Sequence, residues 1–253
     1  MQKNDYWQAQ FYDTKHSFVA QYGVSLIDFI QFKPNMRILD IGCGTGTLTN
    51  DLVRQQATVI GIDQSHNMIH EATKQFPHLQ FEQADILTYT NDHPFDVLFS
   101  NAVLHWIQDA ETAVHQMYSL LADGGQLVIE FGGKGNVVQI TDALISQIQR
   151  KGIYFGEDDF PWYFPSISEY TTMLEKAGFT VNLAHLYDRP TLLNGEDGLL
   201  NWLNMFSPTF FEKIDAKTKQ TIIEQTEQQL RPSLYQNGQW IADYKRLRIV
   251  AVK

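Results

Sequence analysis

Three glycines at alternate positions, Gly42, Gly44 and Gly46, follow the strand-like run at residues 38–41. Glycine lets the backbone turn sharply and approach a ligand closely, and the helix expected after Gly46 offers free N–H groups. Asp63 ends the next strand-like run, where a carboxylate can accept hydrogen bonds from both hydroxyls of a ribose. The glycine loop and the carboxylate together predict a binding site for a nucleoside.

The spacing of this loop differs from that of two common phosphate-binding loops. A dinucleotide fingerprint requires glycine at the position of Thr47, and a P-loop requires lysine directly after its last glycine. The loop therefore favours a nucleoside that is recognised by close backbone contact without phosphate binding. A tight turn without a ligand and an NAD-linked dehydrogenase are the alternatives, and Thr47 argues against the dehydrogenase.

Short apolar runs alternate with helical stretches from residue 37 onward. The predicted strands span residues 38–41, 58–62, 79–81, 95–99, 127–131, 179–187 and 242–253. The predicted helices span about 5–32, 46–56, 66–75, 109–122, 138–150 and 166–178, and residues 190–235 are also helical and aromatic in pattern. Buried runs separated by helices predict a doubly wound α/β fold, with a mostly parallel sheet covered by helices on both faces.

One sheet domain with appendages fits a chain of 253 residues at about 150 residues per domain. A helix at about 5–32 precedes the core, which covers about 33–131, 166–188 and 240–253. Two aromatic-rich insertions, at about 132–165 and 190–235, are predicted to form a lid. These pieces would meet above the carboxyl ends of the strands, where open α/β sheets bind ligands.

The composition argues against several classes of partner. Acidic residues outnumber basic ones 29 to 19, which gives a formal net charge of −10, whereas nucleic-acid binders carry clustered positive charge. Cys43 is the only cysteine, so no intrachain disulfide forms and a reducing compartment is favoured. The chain shows neither an apolar signal core nor a membrane-length apolar stretch. We expect a soluble cytoplasmic protein whose partner is neither nucleic acid nor membrane.

Five segments resemble, in order, the motifs of the class I S-adenosylmethionine-dependent methyltransferase family. They are residues 38–47, 61–65, 83–86, 95–101 and 121–127. Residues 101–106, Asn-Ala-Val-Leu-His-Trp, are similar to the trans-aconitate methyltransferase type within that family. The resemblance implies a seven-stranded Rossmann-like sheet with six parallel strands and a last antiparallel one. It also implies S-adenosylmethionine as cofactor, S-adenosylhomocysteine as product and a small-molecule methyl acceptor.

The resemblance implies roles for the residues that match these motifs. Asp63 would take the ribose hydroxyls, and Gln64 would flank the adenine. Asp85 would face the adenine amino group, with the backbone of Ile86 beside it. Asp40, Gly42, Gly44, Gly46 and Asn101 would lie along the methionine part of the cofactor. The cofactor-binding set also includes Tyr12 and Cys43.

Three members of this last group have more specific expectations. Asp40 would lie near the amino group of the methionine part. Tyr12 belongs to a segment that resembles the part of the family that closes over the cofactor, and helix packing is the alternative role for it. Cys43 is expected to be a small packing residue rather than a nucleophile, because it lies inside the glycine loop.

His105 and Trp106 directly follow the fourth predicted strand, at the ligand edge of the sheet. Three roles stay open for His105: a general base, a contact to the methyl acceptor and a structural residue. Trp106 is expected in the wall of the pocket. His66 and His70 share a helix face but have no further residues at metal-ligand spacing, so no metal is expected.

Fewer sequence features indicate where the methyl acceptor would bind. Trp162 and Tyr163 lie in an aromatic loop bounded by prolines, which suggests a dry pocket. Arg189 and Arg231 each stand next to a proline, and either guanidinium could hold an acidic acceptor through paired hydrogen bonds. Surface placement is the alternative for both arginines.

The expected activity is methyl transfer by in-line displacement. The resemblance to the trans-aconitate type favours a carboxylate oxygen as acceptor, and such an oxygen, ionised at neutral pH, would need no base. A hydroxyl, amine or carbon acceptor with His105 as the base is the alternative within enzymes. A cofactor-binding protein without catalysis is the alternative from a different class.

Overall fold

The structure, a computed structural model, describes Gly23, residues 25–54 and residues 56–253. Of the helix predicted at about 5–32, only its end lies within this part, and residues 25–27 are helical there. Leu26 and Ile27 from that turn are fully buried against the sheet. The rest of this prediction lies outside the described residues.

Ten strands are described, and seven of them form one sheet. Their bounds are β1 Arg37–Ile41, β2 Thr58–Asp63, β3 Gln80–Gln83, β4 Phe95–Asn101, β5 Leu121–Gly132, β6 Thr180–Asp188, β7 Thr191–Leu193, β8 Tyr235–Gln236, β9 Gln239–Ala242 and β10 Lys245–Val252. The large sheet has the order β3-β2-β1-β4-β5-β10-β6. β10 runs antiparallel to both of its neighbours, while the other pairs are parallel. The predicted doubly wound α/β sheet with a last antiparallel strand is confirmed.

Helices connect these strands and cover the sheet. Their bounds are α1 Thr47–Leu52, α2 His66–Gln75, α3 Ala110–Leu120, α4 Val138–Arg150, α5 Ile167–Ala177, α6 Gly198–Phe206 and α7 Ala216–Leu234. The side chains of Ser65 and Asp109 accept hydrogen bonds from backbone N–H groups in the first turns of α2 and α3, so both residues are N-caps. Ser166 and Glu169 form a capping box at the start of α5.

The central strands are apolar on both faces, which is the pattern of a parallel sheet between two helix layers. In β4, Leu98 packs in the same cluster as Val114 of α3, while Val97 and Phe99 pack in the cluster that contains Leu26. All of these side chains are fully buried. Such burial removes about 25 cal/mol of apolar hydration cost for each Å² covered, and it fixes the strand ends that carry the site.

Three predicted elements differ from the structure: the strand at 242–253, the helical region at 190–235 and the helix at 46–56. The strand predicted at 242–253 is interrupted, because the carbonyl oxygen of Asp243 accepts the N–H of Val137 at 3.0 Å and the chain turns before β10. β9 then pairs with β7 and β8 in a separate three-stranded sheet, and β7 lies within residues 190–235, which were predicted to be helical. The helix predicted at 46–56 ends at Leu52, since the chain must reverse into β2 and Gln56 has a φ of 62°.

Aromatic side chains fill a second core between α4, α6, α7 and the small sheet. Trp162, Trp202 and Trp240 are all nearly inaccessible within it. Trp202 donates from Nε1 to the Tyr244 hydroxyl oxygen at 2.6 Å, which satisfies its indole N–H. This second core, here called the aromatic core, lies beside the carboxyl end of β4 through Ala102 and Trp106.

Candidate functional site

A cavity of about 420 Å³ lies at the carboxyl ends of the first four strands. Its wall contains the ends of β1, β2 and β4, residues 84–87 after β3, and residues 106–109. This volume falls in the range of about 300–1,000 Å³ that small-molecule sites occupy. The position is the ligand edge expected for an open α/β sheet. We call it the first cavity.

Of the three loop glycines, only Gly44 has empty space where a side chain would begin. Gly42, Gly44 and Gly46 all have positive φ, at 71°, 56° and 86°, a region that side chains disfavour. A Cβ atom on Gly42 would lie 2.2 Å from Cγ2 of Val103, whereas a Cβ atom on Gly44 would meet nothing within 4 Å. Gly44 therefore leaves room for a ligand to approach the backbone.

Two loop residues that were predicted to bind the cofactor, Cys43 and Gly46, do not line the first cavity. Gly46 packs against the ring of Phe81, and Cys43 is buried against Gly61. Burial raises the pKa of the Cys43 thiol well above its ordinary value, and the neighbouring carboxylates add to this. The thiol stays protonated at neutral pH, which agrees with a packing role and not with that of a nucleophile.

Asp63 holds the glycine loop and faces the cavity at the same time. Its Oδ2 accepts the N–H of Gly44 at 3.0 Å, and its Oδ1 accepts the N–H of Ser65 at 2.8 Å. These two hydrogen bonds fix the carboxylate at the edge of the first cavity, which Asp63 lines. The side chain is thus oriented in advance toward a donor in the first cavity.

Asp40 lies beneath the loop, and only 2% of its surface is exposed. Thr49 donates to its Oδ2 at 2.7 Å. Burial raises the pKa of Asp40 to about 7, the hydrogen bond from Thr49 opposes this rise, and the charge of Asp63 adds to it. A positive charge arriving above the loop would favour the ionised carboxylate. Asp40 is not part of the cavity wall.

The other residues predicted to bind the cofactor surround the first cavity. Gln64, Asp85, Ile86 and Asn101 all line it. Asp85 is held in place because its Oδ1 accepts the N–H of Leu87 at 2.9 Å. Tyr12 lies outside the described residues.

A second, smaller cavity of about 40 Å³ adjoins the first. It lies in the aromatic core, and its wall includes Trp162, Trp202 and Phe206. Ala102 and Trp106 line both cavities, so the two are separated by a single layer of residues. This arrangement brings a polar binding site and an aromatic pocket to the same end of β4.

His105 lines the second cavity and is 7% exposed. Its Nδ1 accepts the N–H of Gly132 at 3.3 Å, so in the neutral ring the proton is on Nε2. Burial lowers the pKa of His105 well below its ordinary value, and the charge of Arg246 lowers it further. His105 is therefore a neutral hydrogen-bond donor through Nε2, with the lone pair of Nδ1 already used.

Three residues predicted for the acceptor pocket lie outside both cavities. Arg189 is buried in an ion pair with Glu130 at 2.7 Å, which fixes it between strands. Arg231 is partly exposed, pairs with Glu227 and stacks over the ring of Tyr235. Their predicted role as acceptor ligands is corrected, because carboxylates of the chain itself take both guanidinium groups.

Tyr163 also lies outside the pocket predicted for it. Its N–H donates to the carbonyl oxygen of His105 at 2.8 Å, and its side chain packs on the cluster around Leu98. Tyr163 thus supports the turn that carries His105 without reaching either cavity. Of the predicted acceptor-side residues, His105 and Trp162 line the second cavity and Trp106 lines both.

Sequence reasoning missed three polar residues of the second cavity: Asn136, Tyr244 and Arg246. All three are at most 6% exposed. One signal was present for Arg246. The last strand was expected to be antiparallel, and the start of such a strand lies at the carboxyl ends of its parallel neighbours. A basic residue there is placed at the ligand edge of the sheet.

No group of three or more histidine, cysteine, aspartate or glutamate side chains in the part of the chain that the structure describes has the geometry of a metal site. No helix among these residues combines the length and apolar character needed to cross a membrane.

The chain is similar to known methyltransferases along its length. A family model described as a methyltransferase domain matches residues 32–178. An uncharacterized methyltransferase of Schizosaccharomyces pombe is 34% identical over 259 residues, which cover 98% of each protein. A trans-aconitate 2-methyltransferase of Methylobacterium nodulans is 28% identical, and the match covers 85% of this chain and 86% of that protein.

A solved structure supports the same fold. Phosphoethanolamine N-methyltransferase 2 of Haemonchus contortus, in complex with phosphomonomethylethanolamine and S-adenosylhomocysteine, matches with a TM-score of 0.58 at 19% identity. The match covers 92% of this chain and 52% of that one. The family model spans more than half of the sequence, and the ordered motifs lie where the sheet builds its cavity. The chain belongs to the class I S-adenosylmethionine-dependent methyltransferases.

Proposed function

We propose that the first cavity holds S-adenosylmethionine and that the acceptor is a small organic acid, methylated on a carboxylate oxygen. When bound, this cofactor supplies a methyl group on a positively charged sulfur that leaves as a neutral thioether. The volume of the cavity and the chemistry of its wall fit the cofactor. Asp63 lines the cavity with a carboxylate, which is the group that accepts hydrogen bonds from ribose hydroxyls, and Gly44 leaves its backbone open.

The residues of the chain have two tasks in such a transfer. They must hold the acceptor oxygen about 3–3.5 Å from the methyl carbon and aligned with the bond that breaks, and they must exclude water. Asn101 and Trp106 line the end of the first cavity next to the aromatic core. We propose that the acceptor enters on this side, and that residues 132–165 and 190–235 cover it there.

The hydrogen bonding and the lowered pKa of His105 are the observations that favour a carboxylate oxygen as the methyl acceptor. Its Nδ1 is occupied by the N–H of Gly132, and its pKa is held low by burial. At the mouth of the first cavity, hydrogen bonds from Thr112 hold the pKa of Asp109 below its ordinary value, which makes it a poor base. An acceptor that is already ionised needs no base. The name of the relative from Methylobacterium nodulans supports an acid as acceptor.

A labelled-methyl assay tests this proposal. The protein is incubated with S-adenosylmethionine that carries a labelled methyl group and with panels of small carboxylic acids, phenols and amines. We expect label in an acid, and we expect mild alkali to release it as volatile methanol, because esters hydrolyse under those conditions. Label that resists alkali in a phenol, amine or carbon product would contradict the carboxylate assignment. No transfer to any panel would favour a cofactor-binding protein without catalysis.

Replacement of His105 separates the roles that the sequence left open. At saturating cofactor and acid, kcat of the wild-type protein should not change with pH between 6 and 8, because the pKa of His105 lies well below its ordinary value. His105→Gln should lose less than about tenfold in kcat, since glutamine still donates a hydrogen bond, whereas loss of a general base costs about 10²–10⁴-fold. His115→Gln, on an exposed face of α3, is the control.

A further inference from the structure

The second cavity is lined by hydrogen-bond donors set among aromatic rings. The residues that carry these donors come from distant parts of the chain: His105 after β4, Asn136 and Trp162 in the first insertion, and Arg246 at the start of β10. Among the residues that the structure describes, no aspartate or glutamate lines this cavity. A wall made in this way suits a ligand group that only accepts hydrogen bonds.

Arg246 provides the positive charge. It is 3% exposed, and its guanidinium lies 4.5 Å from the centre of the Tyr244 ring. A guanidinium offers five N–H donors and no acceptor in a planar fork that matches a carboxylate. Stacking on Tyr244 fixes the plane of this fork, so less side-chain freedom is lost when an anion binds.

Trp162 provides a second donor. Its side chain is 5% exposed, and within the described residues its indole Nε1–H is buried without a hydrogen-bond partner. A buried donor in this state is unfavourable, because it has given up its hydrogen bond to water without gaining another. A ligand oxygen in the second cavity would satisfy it, which gives the cavity an affinity that a dry aromatic pocket lacks.

His105 and Asn136 complete the donor set. The Nδ1 atom of His105 accepts from Gly132, so Nε2 carries the proton. The Oδ1 atom of Asn136 accepts the N–H of Lys245 at 2.9 Å, which leaves the amide nitrogen as its donor end. Both side chains are therefore oriented as donors by the backbone around them.

We infer that the second cavity binds a carboxylate-like oxyanion of the methyl acceptor that is not itself methylated. The inference rests on the proposed function, because it divides the acceptor between the two cavities. A cavity needs about 10–15 Å³ of such volume for one water, so about 40 Å³ admits a group of only a few atoms. The reacting carboxylate would lie past Ala102 and Trp106, in the first cavity. The acceptor class is thus a diacid.

Binding of matched probes tests the inference independently of turnover. The protein is saturated with S-adenosylhomocysteine and titrated with dicarboxylic acids of four to eight carbons, each compared with its monoamide. We expect at least one diacid to bind at least about tenfold more tightly than its monoamide, because the monoamide has one carboxylate and cannot place a carboxylate in both cavities. Equal affinities within every pair, or no binding by any diacid, would overturn the inference.

Single substitutions test whether residues of the second cavity cause the preference for a diacid. Arg246→Met should weaken the diacid about 10- to 150-fold, because hydrogen bonds to charged groups contribute about 1.5–3 kcal/mol. Trp162→Phe keeps the ring and removes only the N–H, so the expected loss is about 2- to 13-fold. Arg231→Gln, outside both cavities, is the matched control and should bind like the wild-type protein.

The affinity for S-adenosylhomocysteine serves as the folding control for every variant, because its proposed site is the first cavity. Should Arg246→Met fail to fold, Arg246→Lys and Trp162→Phe carry the test. Unchanged diacid affinity in the folded variants would overturn the inference while leaving the proposed methyl transfer intact. Failure of the wild-type protein to bind S-adenosylhomocysteine would instead contradict the proposed cofactor site.

Discussion

Replacing Asp63 with alanine is expected to weaken the binding of S-adenosylhomocysteine about 10- to 150-fold. The carboxylate would lose hydrogen bonds to the ribose, and bonds of this charged type contribute about 1.5–3 kcal/mol. The same change releases the N–H groups of Gly44 and Ser65 that Asp63 now holds. Calorimetric titration of the wild-type protein and the variant measures the difference.

Asp96→Ala is the matched control for this titration. The Oδ2 atom of Asp96 accepts the N–H of Arg37 at 2.8 Å, so it too is a carboxylate that holds backbone, but at the start of β1 and away from the cavity. We expect it to lower stability slightly and to leave the dissociation constant unchanged. Equal dissociation constants for Asp63→Ala and the wild-type protein would show that Asp63 does not contact the ligand.

Replacing Asp40 with asparagine is expected to stabilise the protein without cofactor at pH 8 by about 2–4 kcal/mol. The pKa of Asp40 is about 7 in the folded protein, against an ordinary value of 3.8. Three pKa units correspond to about 4 kcal/mol, which burial of the charged form costs the native state. Asparagine cannot ionise, and it keeps an oxygen that accepts from Thr49. Denaturant unfolding at pH 8 measures the gain.

The sign of the pH dependence follows from proton counts. Between about pH 4 and 7 the folded state holds a proton on Asp40 that the unfolded state has released, so stability falls as pH rises. The advantage of Asp40→Asn should therefore be small at pH 4 and reach its full size above pH 7. Asp142→Asn, exposed on α4, is the control. A variant no more stable than the wild-type protein at pH 8 would contradict the assigned pKa.

The fold was predictable wherever the pattern was local. The parallel strands β1, β2, β4 and β5 contain short apolar runs, and helices α2, α3 and α5 begin at capping side chains, Ser65, Asp109 and Ser166. The small sheet was not predictable, because β7, β8 and β9 have only two to four residues each. Runs that short show no periodicity that separates a strand from a turn.

The site, too, was predictable only where its residues lie close in sequence. Gly44 and Asp63 lie close in sequence and form a recognisable pair, and the structure brings them into hydrogen-bond contact. The second cavity joins residues from four distant segments, which no local pattern predicts. Arg189 illustrates the reverse error: its place beside a proline suggested a ligand-binding role, whereas its partner is the buried Glu130 on a strand far earlier in the chain.

The most direct test of the account is a calorimetric comparison of two cofactors on the unmodified protein. The central claim is that the loop from Gly42 to Gly46, with Asp63, forms a nucleoside site for S-adenosylmethionine and not a dinucleotide site. We predict that S-adenosylhomocysteine binds with one site per chain and that NAD gives no binding heat at the same concentrations. Binding of NAD with comparable affinity, or no binding of S-adenosylhomocysteine, would contradict the claim.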